Sequence, residues 1–417
     1  MTDRSEIQHL RTLVEASKLI NSSIEPDALF ASILSVARQQ LGVERGTLYF
    51  VDDRSGEIWS KVAGEIGDVI RLPIGRGIAG SVAFTGEHVL LHDAYADERF
   101  DPSYDVATGY RTRSMLCMPI KNRSGRVVGV LQLLNKIDGR FSYADIRFLD
   151  AISDHMAIAM ENATLHLALV EKQRMERELQ LGREIQRELF PATPEDLNGV
   201  AIAAMSIPCY EVGGDYYDFL PLPGEELGIV IGDVSGKGVG AALIMSSLQA
   251  ALRVAAPIED DMAMLLSRLN TFVFHATRGR KYVTFFYGRY TPSTGLLRYV
   301  NAGHNPPFIV DDGRVEGLNS TGKPIGILPD SRYEMASITL PPGATLILYT
   351  DGLNEAANGE DEEFGNERLA MLVREASRGD VVSMPGRVLA AITDFEAGAP
   401  ITDDKTIVVL RRIAPSA

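Results

Sequence analysis

The stretch IVIGDVSGKGVG at residues 229–240 joins an apolar strand to a glycine-rich turn and a helix-like run. A phosphate-binding P-loop has four residues between its first glycine and its Gly-Lys pair, followed by a Ser or Thr that reaches magnesium. Here only three residues intervene, and Gly238 follows Lys237. The stretch is therefore not a P-loop. Its chemical feature is Asp233, a carboxylate at the end of a buried strand, where charge is costly unless it is paired.

Acidic residues occupy three further strand ends. VGGDYYDF places Asp215 after two glycines, and LILYTDG places Asp351 after an apolar run. Asp403 and Asp404 precede the last strand in ITDDKTIVVL. Mg²⁺ and Mn²⁺ prefer such oxygen ligands, and two ions about 3.5–4 Å apart can activate a shared water and hold a phosphoryl oxygen. Each Asp-Gly alone is more often a plain turn, but together they predict convergence on one metal site.

The order of the motifs carries a family resemblance. GGDYYD, GDVSGKG before an alanine-rich helix, NAGHNPP, YTDG and DDKT together resemble the metal-dependent (PPM-type) protein serine/threonine phosphatases, in particular the bacterial sporulation and stress branch that acts on sigma-factor regulators. REIQRELFP at 183–191 resembles the segment that precedes this domain. The resemblance covers about residues 180–412. It implies a β-sandwich flanked by helices, two Mn²⁺ or Mg²⁺ ions, and a phosphorylated anti-sigma-factor antagonist as substrate.

The resemblance also implies roles for individual residues. Asp215 and Asp233 would be the catalytic metal ligands, and Asp233 would bridge the two ions. The full implied ligand set is Asp215, Asp233, the carbonyl of Val234, Asp351 and Asp403. Asp404 is the alternative to Asp403, and it would otherwise support the site from behind the ligands.

For other polar residues a structural role is favoured over a catalytic one. Lys237 is either a turn residue or a cation near the phosphate, and the turn is favoured. His304 in NAGHNPP is more simply part of a capped turn than a proton donor. Asp218 is expected to support its loop. Cys117 and Cys209 lie in apolar-leaning segments and are expected to be buried thiols in a reducing compartment.

Residues 1–162 show helical periodicity, then strand-like runs, then a closing helix. YADERFDPSYDVATGYRTRSMLCMPI and NKIDGRFSYADI resemble the GAF domains of cyclic-nucleotide phosphodiesterases and cyanobacterial adenylyl cyclases. The resemblance implies an antiparallel sheet flanked by helices and favours cAMP or cGMP over other small-molecule ligands. A ligand-free, dimerising domain is the alternative. Thr108, Arg111 and Thr112 are predicted nearest the ligand, or else they form a closed loop without one. A Lys136–Asp145 pair is expected to be a structural clamp.

Residues 163–197 are predicted to form a helical linker. Leucines at 165, 169, 179 and 189 permit a coiled coil and a homodimer, but Lys172 and Glu176 interrupt the stripe, so a solvated helix is equally consistent. Residues 198–413 alternate strands and turns, with helices expected at about 239–256, 259–277 and 366–396. The predicted fold class is α+β with two domains joined by a long helix.

Charge and hydropathy exclude several classes of function. The net charge of −15 opposes binding to nucleic acid or anionic membranes and disfavours a two-metal nuclease. No apolar run reaches the roughly 18 residues that cross a bilayer, and the N-terminus does not resemble a signal peptide, so a cytoplasmic protein is expected. We therefore predict a signal-regulated phosphatase. The alternative is a catalytically inactive, phosphoprotein-binding pseudophosphatase, which the retained carboxylates disfavour.

Overall fold

A computed structural model describes residues 18, 26–61, 69–192 and 199–413. The chain divides into two compact units, Met1–Met175 and Glu176–Ala417. The first predicted helix, around residues 10–23, lies outside the described residues apart from residue 18. Across the described ranges, no helix is both long and apolar enough to span a membrane.

The first unit contains one antiparallel sheet with helices on both faces. Its elements are α1 (Pro26–Leu41), β1 (Val43–Asp52), β2 (Glu57–Lys61), β3 (Val69–Pro73), α2 (Gly77–Thr85), β4 (Val89–Leu91), α3 (Ser103–Thr108), β5 (Met115–Lys121), β6 (Val127–Lys136) and α4 (Tyr143–Leu189), which ends in the second unit. The described strands form a six-stranded sheet in the order β3-β2-β1-β6-β5-β4. The turn signals at residues 53–56 and 122–125 in the sequence predict hairpins, and both are confirmed, because these segments join β1 to β2 and β5 to β6.

The alternation of apolar side chains explains why this sheet is covered on both faces. Leu48 and Phe50 of β1 pack with α1 and α4, whereas Tyr49 between them packs with α2. Successive side chains on a strand point to opposite faces, so one apolar run serves two cores. Cys117 is fully buried, as predicted, in the core beside α2.

The second unit contains two antiparallel sheets and two pairs of longer helices. Its elements are β7 (Val200–Ile207), β8 (Tyr216–Leu222), β9 (Glu226–Val234), α5 (Val239–Ala255), α6 (Met262–Thr277), β10 (Val283–Thr291), β11 (Leu296–Ala302), β12 (Phe308–Asp311), β13 (Arg314–Gly317), β14 (Ala336–Thr339), β15 (Thr345–Tyr349), α7 (Asp351–Asn354), α8 (Asn366–Ala376), α9 (Met384–Glu396) and β16 (Lys405–Arg412). Within the described residues the sheet orders are β14-β11-β10-β9-β8 and β13-β12-β15-β16-β7.

These two sheets pack face to face as a sandwich. Ile229 and Ile231 of β9 and Leu346 and Leu348 of β15 share the core between the sheets. The outer face of the first sheet packs against α5 and α6, and the outer face of the second packs against α8 and α9. Strands β9 and β15 are therefore buried on both faces, which accounts for their unbroken apolar runs. The predicted β-sandwich flanked by helices is confirmed.

Two helix predictions need correction. The helix expected over 366–396 is two helices, because Pro385 lies in the first turn of α9, where a missing backbone N–H costs little, and would break a continuous helix. The helix expected from residue 259 begins at Met262, because the Asp261 side chain accepts hydrogen bonds from the Ala263 and Met264 backbone N–H groups and caps it there.

Candidate metal centre

The predicted acidic residues lie where neighbouring strands meet one end of the sandwich. Asp215 directly precedes β8 and Asp233 lies at the end of its antiparallel neighbour β9. Asp351 follows β15, and Asp403 and Asp404 precede β16, which pairs antiparallel with β15. Antiparallel neighbours place the end of one strand beside the start of the next. The topology thus brings residues up to 189 positions apart to one site.

The carboxylates of this site raise one another's pKa. Burial and then the neighbouring Asp233 and Asp404 carboxylates raise the pKa of Asp215 well above its usual range. Burial, then Asp351, Asp403 and Asp404, raise the pKa of Asp233 to about 7. Burial and the Asp403 carboxylate also raise the pKa of Asp351. Mutual repulsion of this kind is relieved by bound cations, so the donor set fits hard divalent ions.

Both carboxylate oxygens of Asp404 accept hydrogen bonds from backbone N–H groups. Its Oδ1 accepts a hydrogen bond from the Cys209 N–H at 2.8 Å, and its Oδ2 accepts from the N–H groups of Gly214 at 2.7 Å and Asp215 at 3.3 Å. A Cβ at Gly213 would lie 2.6 Å from Asp404 Oδ2, so only glycine permits this approach. These bonds position the glycine loop, whereas Asp403 is half-exposed.

Glycines next to the aspartates allow neighbouring backbone segments to approach each other closely. Asp404 also approaches Gly352, where a Cβ would lie 2.0 Å from the Asp404 carbonyl oxygen. A Cβ at Gly214 would lie 3.1 Å from the carbonyl oxygen of the buried Val234. The glycines beside the aspartates are therefore required for the segments to approach each other.

Two residues at this site were not anticipated from sequence. Thr350 is fully buried, and its hydroxyl donates a hydrogen bond to Asp215 Oδ2 at 2.8 Å. Its position directly before Asp351 is the signal that could have identified it. Cys209 was expected to be buried but is half-buried, and its sulfur and single oxygens of Asp403 and Asp404 lie within 4.8 Å of one another. Burial and the Asp404 carboxylate raise the pKa of this thiol to about 12.

Of the residues for which structural roles were favoured, His304 and Asp218 have structural contacts, whereas the Lys237 ammonium pairs with Asp403. Burial lowers the pKa of His304 to about 4, and its Nδ1 lies 2.9 Å from the Thr284 hydroxyl. Asp218 is fully buried and accepts two hydrogen bonds from the Arg253 guanidinium, at 2.7 and 2.9 Å. His304 is therefore neutral at pH 7, and Asp218 anchors α5 to β8 without facing the metal centre.

A cavity of about 380 Å³ lies beside Asp215 and Asp404. Its other lining residues are Arg183, Gln186, Arg187, Phe190, Ala204, Met205, Ser206, Ile207, Pro208, Gly213 and Tyr217. The end of α4 forms one wall, and Gln186 donates to the Gly213 carbonyl at 2.7 Å and accepts from the Gly213 N–H at 3.0 Å. The segment REIQRELFP therefore contacts the loop that carries Asp215.

In the first unit, the three residues predicted nearest a ligand have contacts of different kinds. The Thr108 hydroxyl donates to the Tyr104 carbonyl within α3. Thr112 is buried, and both its N–H and its hydroxyl donate to Asp105, at 2.7 and 2.9 Å. The exposed Arg111 guanidinium lies over the Tyr95 ring, 4.8 Å from its centroid. Both threonines thus serve local structure, and Arg111 is the one of the three with an exposed charged group.

The Lys136–Asp145 clamp is confirmed. Lys136 Nζ lies 2.6 Å from both Asp145 carboxylate oxygens, and both residues are largely buried. Asp145 also accepts a hydrogen bond from the Ser142 N–H at 2.7 Å. This pair ties the end of β6 to the start of α4, so it stabilises the domain without a ligand.

Replacing Asp403 or Asp404 by asparagine should distinguish the structural role of Asp404 in holding the glycine loop from the ligand role predicted for Asp403. We expect Asp404→Asn to lower the free energy of unfolding by about 1.5–3 kcal/mol, because its amide nitrogen would face backbone N–H groups in place of a charged acceptor. Asp403→Asn should change it by less than about 1 kcal/mol, because Asp403 is half-exposed. Urea denaturation measures both values, and equal destabilisation by the two variants would contradict the assignment.

The raised pKa of Asp233 predicts a pH dependence of stability. Stability contributed by a carboxyl group with a raised pKa is present at low pH and is lost as pH rises from 3.8 through about 7. In EDTA the melting temperature should therefore fall between about pH 4 and pH 7 and level off at higher pH. Mn²⁺ should reduce this fall, since binding favours the carboxylate. Asp233→Asn is the control, and an unchanged slope in that variant would refute the prediction.

Two family models match the chain. Residues 223–413 match "Stage II sporulation protein E (SpoIIE)", and residues 25–160 match "GAF domain". "Protein IcfG" of Synechocystis sp. is 36% identical over 220 residues, which cover 46% of this chain and 35% of that protein. "Phosphoserine phosphatase RsbU" of Bacillus subtilis is 28% identical over 246 residues, which cover 58% of this chain and 72% of that protein.

The second unit also has a counterpart of known structure. The SiaA-PP2C domain of Pseudomonas aeruginosa aligns with a TM-score of 0.52 and 22% identity, over 58% of this chain and 98% of that domain. This similarity supports the fold. The chain spans about a third of the length of IcfG, so its similarity to that protein concerns only a part of it. By its family matches and its two folds, the chain carries a GAF domain followed by a SpoIIE-type phosphatase domain.

Proposed function

We propose that the chain is a metal-dependent protein phosphatase that hydrolyses phosphoserine and phosphothreonine. The observation that carries this proposal is the crowding of Asp215, Asp233 and Asp351, whose pKa values are all raised, at one end of the sandwich. A stable fold retains such mutually repelling carboxylates at a cost, and bound cations offset that cost. The match to the SpoIIE family and the similarity to a phosphoserine phosphatase of Bacillus subtilis support the same activity.

The residues present fit two Mn²⁺ or Mg²⁺ ions. Asp215, Asp233 and the carbonyl of Val234 would hold them from one sheet, with Asp233 shared, and Asp351 and Asp403 would hold one ion from the other sheet. Bound divalent ions would supply an activated water and withdraw charge from the phosphoryl oxygens. We assign Asp404 to the support of the glycine loop, because its oxygens already accept three backbone hydrogen bonds.

The surrounding residues position this donor set. The Thr350 hydroxyl fixes Asp215 by donating to one of its oxygens, and Asp404 fixes the backbone of the same residue. His304 is buried and neutral, so it is not a proton donor to the leaving oxygen at pH 7.

The two domain types suggest a protein substrate for the phosphatase domain and a small-molecule ligand for the GAF domain. A phosphorylated anti-sigma-factor antagonist is the proposed substrate, on the basis of the sporulation and stress branch that the motifs resemble. The GAF domain would bind cAMP or cGMP, and the helix α4, which ends beside the loop of Asp215, would transmit that event. We further propose a homodimer, since Leu165 and Leu169 of α4 are exposed, and, from the sequence, a cytoplasmic location.

Turnover by purified protein tests the proposed activity. We expect hydrolysis of p-nitrophenyl phosphate and of a phosphoserine protein with Mn²⁺ or Mg²⁺, and none with EDTA. Asp233→Asn should lower turnover by at least about 100-fold, because it removes the charge that two ions share. Its circular dichroism spectrum should match that of the unaltered protein.

The outcomes separate the alternatives. Wild-type turnover by Asp233→Asn would mean that the site is misassigned. A folded protein without turnover under either metal would be a pseudophosphatase. Adding cAMP or cGMP tests the GAF half separately: a change in metal-dependent turnover supports cyclic-nucleotide regulation, and no change refutes it while leaving the phosphatase intact.

A further inference from the structure

Lys237 is paired with one of the predicted metal ligands. Its Nζ lies 2.9 Å from Asp403 Oδ2 and also donates to the carbonyl of Thr402. Both partners of this ion pair are part-exposed, at 39% for Lys237 and 36% for Asp403. The ammonium therefore offsets, at the rim of the site, part of the repulsion that the Asp403 carboxylate adds on Asp233 and Asp351.

The backbone around Lys237 is fixed by its neighbours, whereas its side chain is part-exposed. Ser235 exchanges two hydrogen bonds with Tyr282, each of 2.9 Å, and its carbonyl accepts one from Lys281 Nζ at 2.9 Å. The glycines on either side of Lys237 have φ values of 90° and 71°, which hold the turn in a conformation that glycine favours. The half-exposed lysine chain can therefore reorient on a rigid loop.

We propose that Lys237 is a positioning residue. Its ammonium competes with the divalent ion for Asp403 and, once displaced, attracts the substrate phosphate. In the metal-free site its ammonium holds Asp403. An ion that binds Asp403 breaks this pair, and the displaced ammonium remains at the rim, where it attracts the phosphate. This inference rests on the proposed function, because it takes Asp403 as a metal ligand.

The competition predicts a gain in metal affinity when Lys237 is neutralised. Calorimetric titration of Lys237→Met with Mn²⁺ should show a dissociation constant about two- to fivefold lower than that of the unaltered protein, the range expected for an exposed ion pair. A purely structural lysine would give the opposite sign, because its loss would loosen the loop. Inorganic phosphate should bind the Mn²⁺-loaded variant at least about twofold more weakly.

Two matched variants control for other effects. Lys237→Arg keeps the charge and should keep the affinity of the unaltered protein for Mn²⁺. Lys281→Met removes one positive charge from the neighbouring loop before β10, but Lys281 bonds the Ser235 carbonyl and not a carboxylate, so Mn²⁺ affinity should change by less than about twofold. A gain in Mn²⁺ affinity in Lys281→Met as large as in Lys237→Met would overturn the inference, since the effect would then be general electrostatics.

The readouts distinguish the failure of this inference from the failure of the proposed function. Unchanged or weaker Mn²⁺ binding by Lys237→Met, with Mn²⁺ binding by the unaltered protein, refutes the competition alone. Tighter Mn²⁺ binding with unchanged phosphate affinity refutes the attraction of phosphate by the displaced Lys237 ammonium. Absence of Mn²⁺ binding in the unaltered protein refutes the proposed function and this inference with it.

Discussion

The hydrogen bonds to the Asp404 carboxylate join the last strand of the sandwich to the loop before β8. They connect residues about 190 positions apart, and they use both carboxylate oxygens. Because Asp404 holds the N–H groups of Gly214 and Asp215, it fixes where the Asp215 side chain begins. The approach depends on Gly213, where a side chain would collide with the same carboxylate. The relative position of the acidic residues depends on this contact.

The energetic character of the site follows from that arrangement. Burial and proximity raise the pKa of Asp215, Asp233 and Asp351, so the metal-free site is electrostatically unfavourable. The sandwich tolerates this cost because its strands are buried on both faces by apolar side chains. A bound divalent ion would turn the same repulsion into binding free energy, and Lys237 relieves part of it at the exposed rim.

Much of this site was predictable because strand ends are readable in sequence. Apolar runs that stop at an aspartate, joined by hairpins, place Asp215, Asp233 and Asp351 at one edge. The backbone contacts of Asp404, on which its proposed supporting role rests, were not predictable, since they involve N–H groups some 190 residues away. The roles of Thr108 and Thr112 were equally hidden, because a threonine hydroxyl bonds its own helix or a neighbouring carboxylate without altering the sequence pattern.

The most direct test of the account is an anomalous diffraction map of crystals grown with Mn²⁺. We expect two peaks about 3.5–4 Å apart, the separation of paired catalytic ions. Both should contact Asp233, with Asp403 beside one of them and Asp404 still bonded to the Gly214 N–H. A single peak between Cys209 and Asp404, or no peak near Asp233, would contradict the central claim that carboxylates from both sheets form one two-metal site.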